Sequence, residues 1–320
     1  MEQKQYTTFE NQSFNDNIIL SIGEKRRTVE AIQRASKIRH IIGTTIVYIL
    51  ILFAAFTIIF PFYWMIITSL KYNDEITAST QTFFPSIVMW TNYIYVFDSF
   101  DFSNYMFNTI VVGIFSTAGT ILTTIAAAFA FARLKFKGRD ALFAIFLMTM
   151  MIPGEMMVIS NYITVASFGW IGEGQTRIDA YLAMIVPFAV SVFYIYLLRQ
   201  NFKQIPNELY LATKVDGKTD WTFLWKVMVP LAAPTIISIV ILKFMGTWNA
   251  YVWPNLITDT SEFRLISNGL RGSSFTDLEG RVQYGYQMAA TVLVTVPLFL
   301  LFIFFRKYIM RGFGRAGIKG

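Results

Sequence analysis

Few side chains in this sequence are equipped for bond-making chemistry. It contains no cysteine and a single histidine, His40. Disulfides, thiolate metal sites, cysteine nucleophiles and any buried triad or metal cluster built on histidine are thereby excluded. No Gly-x-x-x-x-Gly-Lys-Ser/Thr phosphate loop occurs either. The groups that remain suit the handling of a polar solute. Glu155 and Lys243 stand inside long apolar runs, where a charge costs several kcal/mol unless it reaches water or a partner. Glu155 is therefore expected to face a polar cavity or a protein interface, or to lie close enough to a membrane surface to stay wet. Just after Lys243 comes Gly246-Thr247-Trp248-Asn249-Ala250-Tyr251-Val252-Trp253-Pro254. Aromatic faces separated by an amide and small residues, here Trp248, Asn249 and Tyr251, can stack on sugar rings and bond their hydroxyls. The same aromatics also suit an interfacial belt, Trp253 above all. With Glu155, these residues form a candidate transport path.

A second stretch, 203–230, offers mechanical work. Pro206 opens a helical run, Asn207-Glu208-Leu209-Tyr210-Leu211-Ala212-Thr213-Lys214-Val215, and Asp216-Gly217 follows where that run must stop. Glycine accepts the left-handed backbone that ends a helix, and aspartate bonds its own main chain in turns. Trp221, Leu224, Trp225 and Met228 then recur at intervals of three and four, which predicts a second helix running to Pro230. Helix, turn, helix is a large investment for a bare connection, although an amphipathic loop helix lying on a membrane is the plain alternative.

Composition says what surrounds these stretches. Of 320 residues, 55% are hydrophobic, 17% aromatic and only 15% charged, with a mean hydropathy of +0.49; a soluble domain carries about one quarter charged residues. The pattern predicts an all-α polytopic membrane protein with six transmembrane helices, at about 41–67, 106–132, 141–165, 180–198, 231–256 and 288–305. Residues 1–40 form a polar, basic amino-terminal extension without a signal-peptide core, 41–305 the six-helix domain and 306–320 a carboxyl-terminal tail. The second span is rich in small residues, Gly113, Ser116, Gly119, Ala126 and Ala130 among them, and is expected to be the central packing helix. With the amino terminus inside, the inner segments hold 21 of the 27 Lys and Arg, so the positive-inside rule places both termini and the 203–230 loop in the cytoplasm. The basic residues cap apolar runs and form no patch with polar readers between them, which argues against nucleic acid as a partner.

The loop spacing carries a resemblance. Leu211-Ala212-Thr213, three residues, Gly217, nine residues and Val227-Met228-Val229-Pro230 resemble the EAA motif of ABC-importer permeases, with Leu211 where the family has its glutamate and Thr213 at the second alanine. Phe84-Pro85, Asn92-Tyr93 and the Trp248-Asn249 pair are similar to the same family. The closing run, to Gly317, Lys319 and Gly320, resembles the second permease of carbohydrate importers of the maltose type. The resemblance implies type I ABC-importer permease architecture and a bacterial plasma-membrane location. In it the loop is a coupling helix in a cleft of an ATPase, with Glu208, Leu211, Ala212, Thr213, Asp216, Gly217 and Pro230 as coupling residues. It further implies a tail reaching into the ATPases, or, read plainly, a basic tail held at lipid headgroups. The implied partners are a homologous permease in a heterodimer, two ATP-binding-cassette subunits that hold ATP and Mg, and an extracellular or periplasmic solute-binding protein. On this view the chain is no enzyme, binds no cofactor and passes a carbohydrate, an oligosaccharide in particular, by alternating access. An ion-coupled secondary transporter of a small polar solute is the competing class; it normally carries several ionisable groups within its spans, against Glu155 and Lys243 here.

Overall fold

The structure is a computed structural model that describes residues 37–99, 101–258, 260–272, 275–276 and 280–314. Most of the amino-terminal extension, and Gly317, Lys319 and Gly320 of the tail, lie outside the described residues. Two units are distinguished, 1–64 and 65–320. The described part of the first is helical, with apolar side chains such as Ile49, Leu52 and Phe53 exposed along it. Phe56, Phe60 and Trp64 form a ladder of rings 5.6 and 5.9 Å apart.

Secondary structure is helical almost throughout, as the apolar runs require: in a bilayer every backbone N–H and C=O must be paired within its own segment. Three helices are long and apolar enough to cross a membrane, Lys37–Ser69, Phe102–Arg133 and Tyr284–Lys307. Three bent pairs bring the total to six if each is one span: Arg139–Thr149 with Gly154–Ser167 (89°), Arg177–Phe188 with Val192–Gln204 (51°), and Asp220–Leu231 with Ala233–Trp248 (78°). The third run, expected as one span with Pro153 inside it, thus bends sharply, and the fourth is interrupted just after Pro187, the proline expected to interrupt it. The breaks fall at or beside Pro153 and Pro187 in these two and between Pro230 and Pro234 in the fifth, because proline supplies no N–H and clashes with the preceding turn. The fifth ends at Trp248, short of the expected 256, and a separate helix, Val252–Ile257, follows. The sixth extends the other way: its helix continues without interruption from Tyr284 to Gly314.

Phe102–Arg133 is the axis of the larger unit, packed along the fourth and fifth spans. Its buried face repeats every four residues, Asn108, Val112, Ser116, Thr120, Thr124 and Ala128, which is how short side chains let helices approach in lipid. Gly113 shows how closely: a Cβ there would stand 2.7 Å from the Phe244 ring. At one end of the bundle Asn92 is buried and donates to the carbonyls of Ser69 (2.9 Å) and Lys71 (3.0 Å). Tyr93 shares a 2.6 Å hydroxyl bond with Ser69, so the Asn92-Tyr93 pair fastens the chain just after the first long helix.

Gly285, opening the sixth span, sits against this fastening. A Cβ on it would meet Asn92 Nδ2 at 2.8 Å and the Lys71 carbonyl at 3.1 Å. Neither atom can retreat without giving up a buried hydrogen bond, so Gly285→Ala should lower the melting temperature of the purified protein in detergent, at a cost of roughly 1–3 kcal/mol. An unchanged melting curve would show that the two segments part freely.

Candidate functional site

The 203–230 loop folds into an elbow. Asn207–Val215 is helical and ends in a left-handed Gly217 at φ 69°. The Lys218 N–H reaches the Thr213 carbonyl (3.1 Å) and the Gly217 N–H the Lys214 carbonyl (3.0 Å), the paired closure that satisfies the last carbonyls of a helix. Thr219 caps the returning arm through the Thr222 N–H. That arm, Asp220–Phe223, widens into a π turn over Leu224–Met228, where the Val229 N–H reaches back to the Leu224 carbonyl. Pro230 accounts for the widening, since it has no N–H to offer the Lys226 carbonyl.

The two arms are clasped. Asp220 Oδ1 accepts from the Tyr210 hydroxyl at 2.8 Å and pairs with Lys214 Nζ at 2.9 Å. The Lys214 hydrogen bond, and then the Tyr210 one, hold the Asp220 carboxyl below its ordinary pKa, while the same contact raises that of Lys214. A carboxyl so depressed steadies the clasp above the usual carboxylate range and releases it as pH falls through the lowered value. Behind the clasp Tyr210 meets Phe223 edge to face at 5.1 Å. Phe223, Leu224 and Met228 are buried in one cluster with Ile125, Ala128 and Phe129 of the second span and Leu198 and Phe202 of the fourth. The returning arm of the elbow is therefore part of the bundle's core.

Two basic residues that the sequence accounts for only by topology reinforce this end. Arg133 donates to the Phe202 carbonyl at 2.9 Å and to the Ile205 carbonyl, just ahead of the elbow. Arg199 is buried, donates to the Phe131 carbonyl at 3.1 Å, and lies 3.8 Å over the Phe143 ring and 3.7 Å from Asp140. On the outer surface of the elbow, Glu208, Leu209, Leu211, Ala212, Asp216 and Pro230 are exposed and Thr213 is half-buried. Leu211 is 55% and Val215 88% exposed, so the tip presents an apolar face. Glu208 lies in the first turn, where a negative charge suits the helix dipole.

The candidate path residues are not gathered in one place. Glu155 is exposed in a short 3₁₀ turn, Gly154–Met157, at the 89° break of the third span. Trp248 is buried in a cluster with Tyr105, Ile266 and Ala289. Asn249 caps its helix by donating to the Met245 carbonyl at 2.9 Å. Tyr251 lines a cavity of about 550 Å³ and carries Arg271 4.5 Å over its ring. Trp253 is no interfacial belt residue: it is buried, donates to the Ala183 carbonyl at 3.1 Å and stands edge-on to Phe188 at 5.6 Å.

That cavity lies between the second, fourth and fifth spans, at the break following Pro187. The break leaves carbonyls without helical donors, and hydroxyls of the second span serve them. Thr120 donates to Phe188 O at 3.1 Å and Thr123 to Ala189 O at 2.7 Å. Lys243 Nζ, from the fifth span, also reaches Phe188 O at 3.2 Å. At the far end of the second span, Asn108 takes the carbonyls of Glu262 (2.9 Å) and Arg264 (3.0 Å) and accepts from Tyr181 (2.6 Å). Arg177 pairs with Glu262 at 2.6 Å. Arg177, Glu262 and the Tyr210–Asp220–Lys214 clasp escape sequence reasoning, because each joins positions that no helical period connects.

Residues 119–315, more than half of the chain, match the family described as binding-protein-dependent transport system inner membrane component. The chain is 28% identical over 266 residues to the arabinooligosaccharides transport system permease protein AraQ of Bacillus subtilis (strain 168), covering 82% of this chain and 91% of that one. It is 29% identical over 265 residues to the trehalose/maltose transport system permease protein MalG of Thermococcus litoralis, covering 82% and 92%. Among solved structures, a chain of a bacterial ABC transporter involved in the import of the acidic polysaccharide alginate superposes with a TM-score of 0.75 at 21% identity, over 83% of this chain and 96% of that chain.

Proposed function

Because the chain belongs to the binding-protein-dependent transport system inner membrane components, and is thus a multi-pass, non-catalytic permease subunit of an ABC importer, we propose that it carries a carbohydrate, an oligosaccharide in particular, by alternating access. Such permeases bind no cofactor, and ATP is hydrolysed by the ATPase partner. The names of its relatives support the solute class: arabinooligosaccharides, lactose, trehalose/maltose and diacetylchitobiose, beside sn-glycerol-3-phosphate. The chain works as half of a heterodimer with a homologous permease, above two ATPases that bind ATP with Mg, and receives solute from a binding protein. Both termini and the elbow face the cytoplasm, in keeping with the 21 of 27 Lys and Arg on that side.

The observation that carries this reading is the elbow: an exposed apolar tip at Leu211 and Val215 whose returning arm is buried among the spans through Phe223, Leu224 and Met228. A push on the tip is transmitted because close-packed side chains move together. Glu208, Leu211, Ala212, Thr213, Asp216, Gly217 and Pro230 form or border the coupling surface, with Leu211 replacing the polar contact of the family's glutamate by an apolar one. Gly317, Lys319 and Gly320 extend the ATPase contact. Glu155, Trp248, Asn249 and Tyr251 remain the proposed path residues; Tyr251 lines the cavity, and Glu155, Trp248 and Asn249 stand outside its lining.

The absence of native cysteine makes the test clean. A single cysteine at Leu211 or Val215 should crosslink to the ATPase in the assembled transporter and react with a membrane-impermeant maleimide in inside-out vesicles but not in intact cells. Labelling from outside the cell would reject the orientation and with it the coupling role. Uptake that persists with a hydrolysis-dead ATPase would instead favour an ion-coupled carrier.

A further inference from the structure

The geometry of the cavity at the Pro187 break points to a more specific solute: we infer that Lys243 binds an anionic group, a carboxylate or a phosphate, on the transported sugar. The inference rests on the carbohydrate-permease reading and narrows it.

Lys243 lies ten residues into Ala233–Trp248, about 15 Å along the helix. It shares the cavity with Ser116, which is near the middle of the 32-residue second span. The ammonium is therefore at mid-bilayer depth, where an isolated charge is expensive and is kept for a use. Its hydrogen-bond acceptor among the described residues is Phe188 O, at 3.2 Å, and that carbonyl already accepts from Thr120 at 3.1 Å. Capping a carbonyl that is already paired does not call for a full positive charge. An ammonium has three donors, so Lys243 keeps capacity for a ligand. Among the described residues it forms no ion pair, and no aspartate or glutamate lines the cavity.

The rest of the wall suits a sugar. Ser116, Ser191 and Thr247 bring hydroxyls, Tyr194 and Tyr251 bring ring faces with polar tips, and a volume of about 550 Å³ falls in the range of small-molecule sites. A neutral sugar would use the hydroxyls and rings and leave the ammonium, held at Phe188 O, without a counter-charge. A sugar acid or sugar phosphate would use all three, with the ion pair formed away from bulk water, where it is strong.

The test uses the whole transporter, with its own partner permease, ATPases and binding protein, in proteoliposomes. Three labelled probes are compared: digalacturonate for a carboxylate, glucose 6-phosphate for a phosphate, and maltose as the neutral sugar. The wild-type complex should take up one of the anionic probes about tenfold or more faster than maltose, the worth of one charge-assisted hydrogen bond; which of the two is preferred identifies the anion. Lys243→Gln should abolish that preference while its melting temperature stays near wild type, and Lys243→Arg should restore it. The wild-type comparison holds whether or not the glutamine variant assembles. Equal or faster uptake of maltose, uptake of neither anionic probe, or a glutamine variant with intact preference would overturn the inference. ATP-dependent maltose uptake would then leave the importer reading standing, whereas uptake of any probe without ATP hydrolysis would remove that reading too.

Discussion

Phe223→Ala should detach the elbow from the bundle and abolish coupled transport. The ring is fully buried, meets Tyr210 edge to face at 5.1 Å, and belongs to the cluster that joins the returning arm to the second and fourth spans. Removing a buried phenyl ring typically costs about 3–5 kcal/mol, from lost apolar contact and from the cavity left behind. Here the loss falls at the joint through which a push on the tip reaches the spans. The expected result is a marked drop in melting temperature in detergent, with stimulation of the ATPase by the loaded binding protein reduced to background. Phe223→Leu, which refills most of the space, should recover much of both. If the alanine variant kept full stimulation, the elbow would be transmitting force by some other contact.

Gly217→Val should leave the protein inserted and folded yet impair coupling several-fold. Gly217 has φ 69°, and a Cβ built there meets nothing within 4 Å. The penalty is therefore purely one of backbone conformation, about 1–2 kcal/mol for an ordinary side chain in the left-handed region and more for a β-branched one. It acts on the turn that sets the angle between the two arms. Gly217→Asn is the informative control, because asparagine tolerates that region and should retain most uptake. Were valine and asparagine equally harmful, the glycine would be needed for close approach by the partner and not for its own conformation. ATP-driven uptake, measured beside the amount of protein in the membrane, separates these outcomes.

The sequence was most legible where a period or a special residue governs the outcome. Gly217 ends the elbow helix because no other residue does so without strain, and the small residues of the second span mark the axis because packing in lipid demands them. The breaks were less legible. Pro153 and Pro187 are visible as prolines, but whether a proline bends a helix or parts it into two halves depends on what can pair with the freed carbonyls. Around Pro187 those donors come from other spans or segments: the Trp253 N–H for the Ala183 carbonyl four residues before it, and Thr120 and Thr123 for Phe188 and Ala189 at the break. The surroundings of Trp248 and Trp253 are hidden for a related reason. An aromatic beside an amide reads as a ligand surface, yet Trp248 fills the core against Tyr105, Ile266 and Ala289; Trp253, which suits an interfacial belt by its sequence position, is buried with its N–H on the Ala183 carbonyl. Lys243 was noticed as a charge out of place; the cavity around it depends on a break in a helix more than fifty residues away.

The way Asn108 and Thr109 hold the stretch around 262–266 has a bearing on how that end of the bundle moves. Asn108 bonds the carbonyls of Glu262 and Arg264, and the Thr109 hydroxyl accepts from the Ile266 N–H at 2.8 Å. These anchors grip the main chain, which is the same whatever side chains it bears. The side chains of this strip are committed as well: Phe263, Leu265 and Ile266 are buried, Arg264 is half-buried, and the Glu262 carboxylate is tied to Arg177. With its main chain pinned and its apolar side chains sunk among the helices, the strip must travel with the second span as one piece.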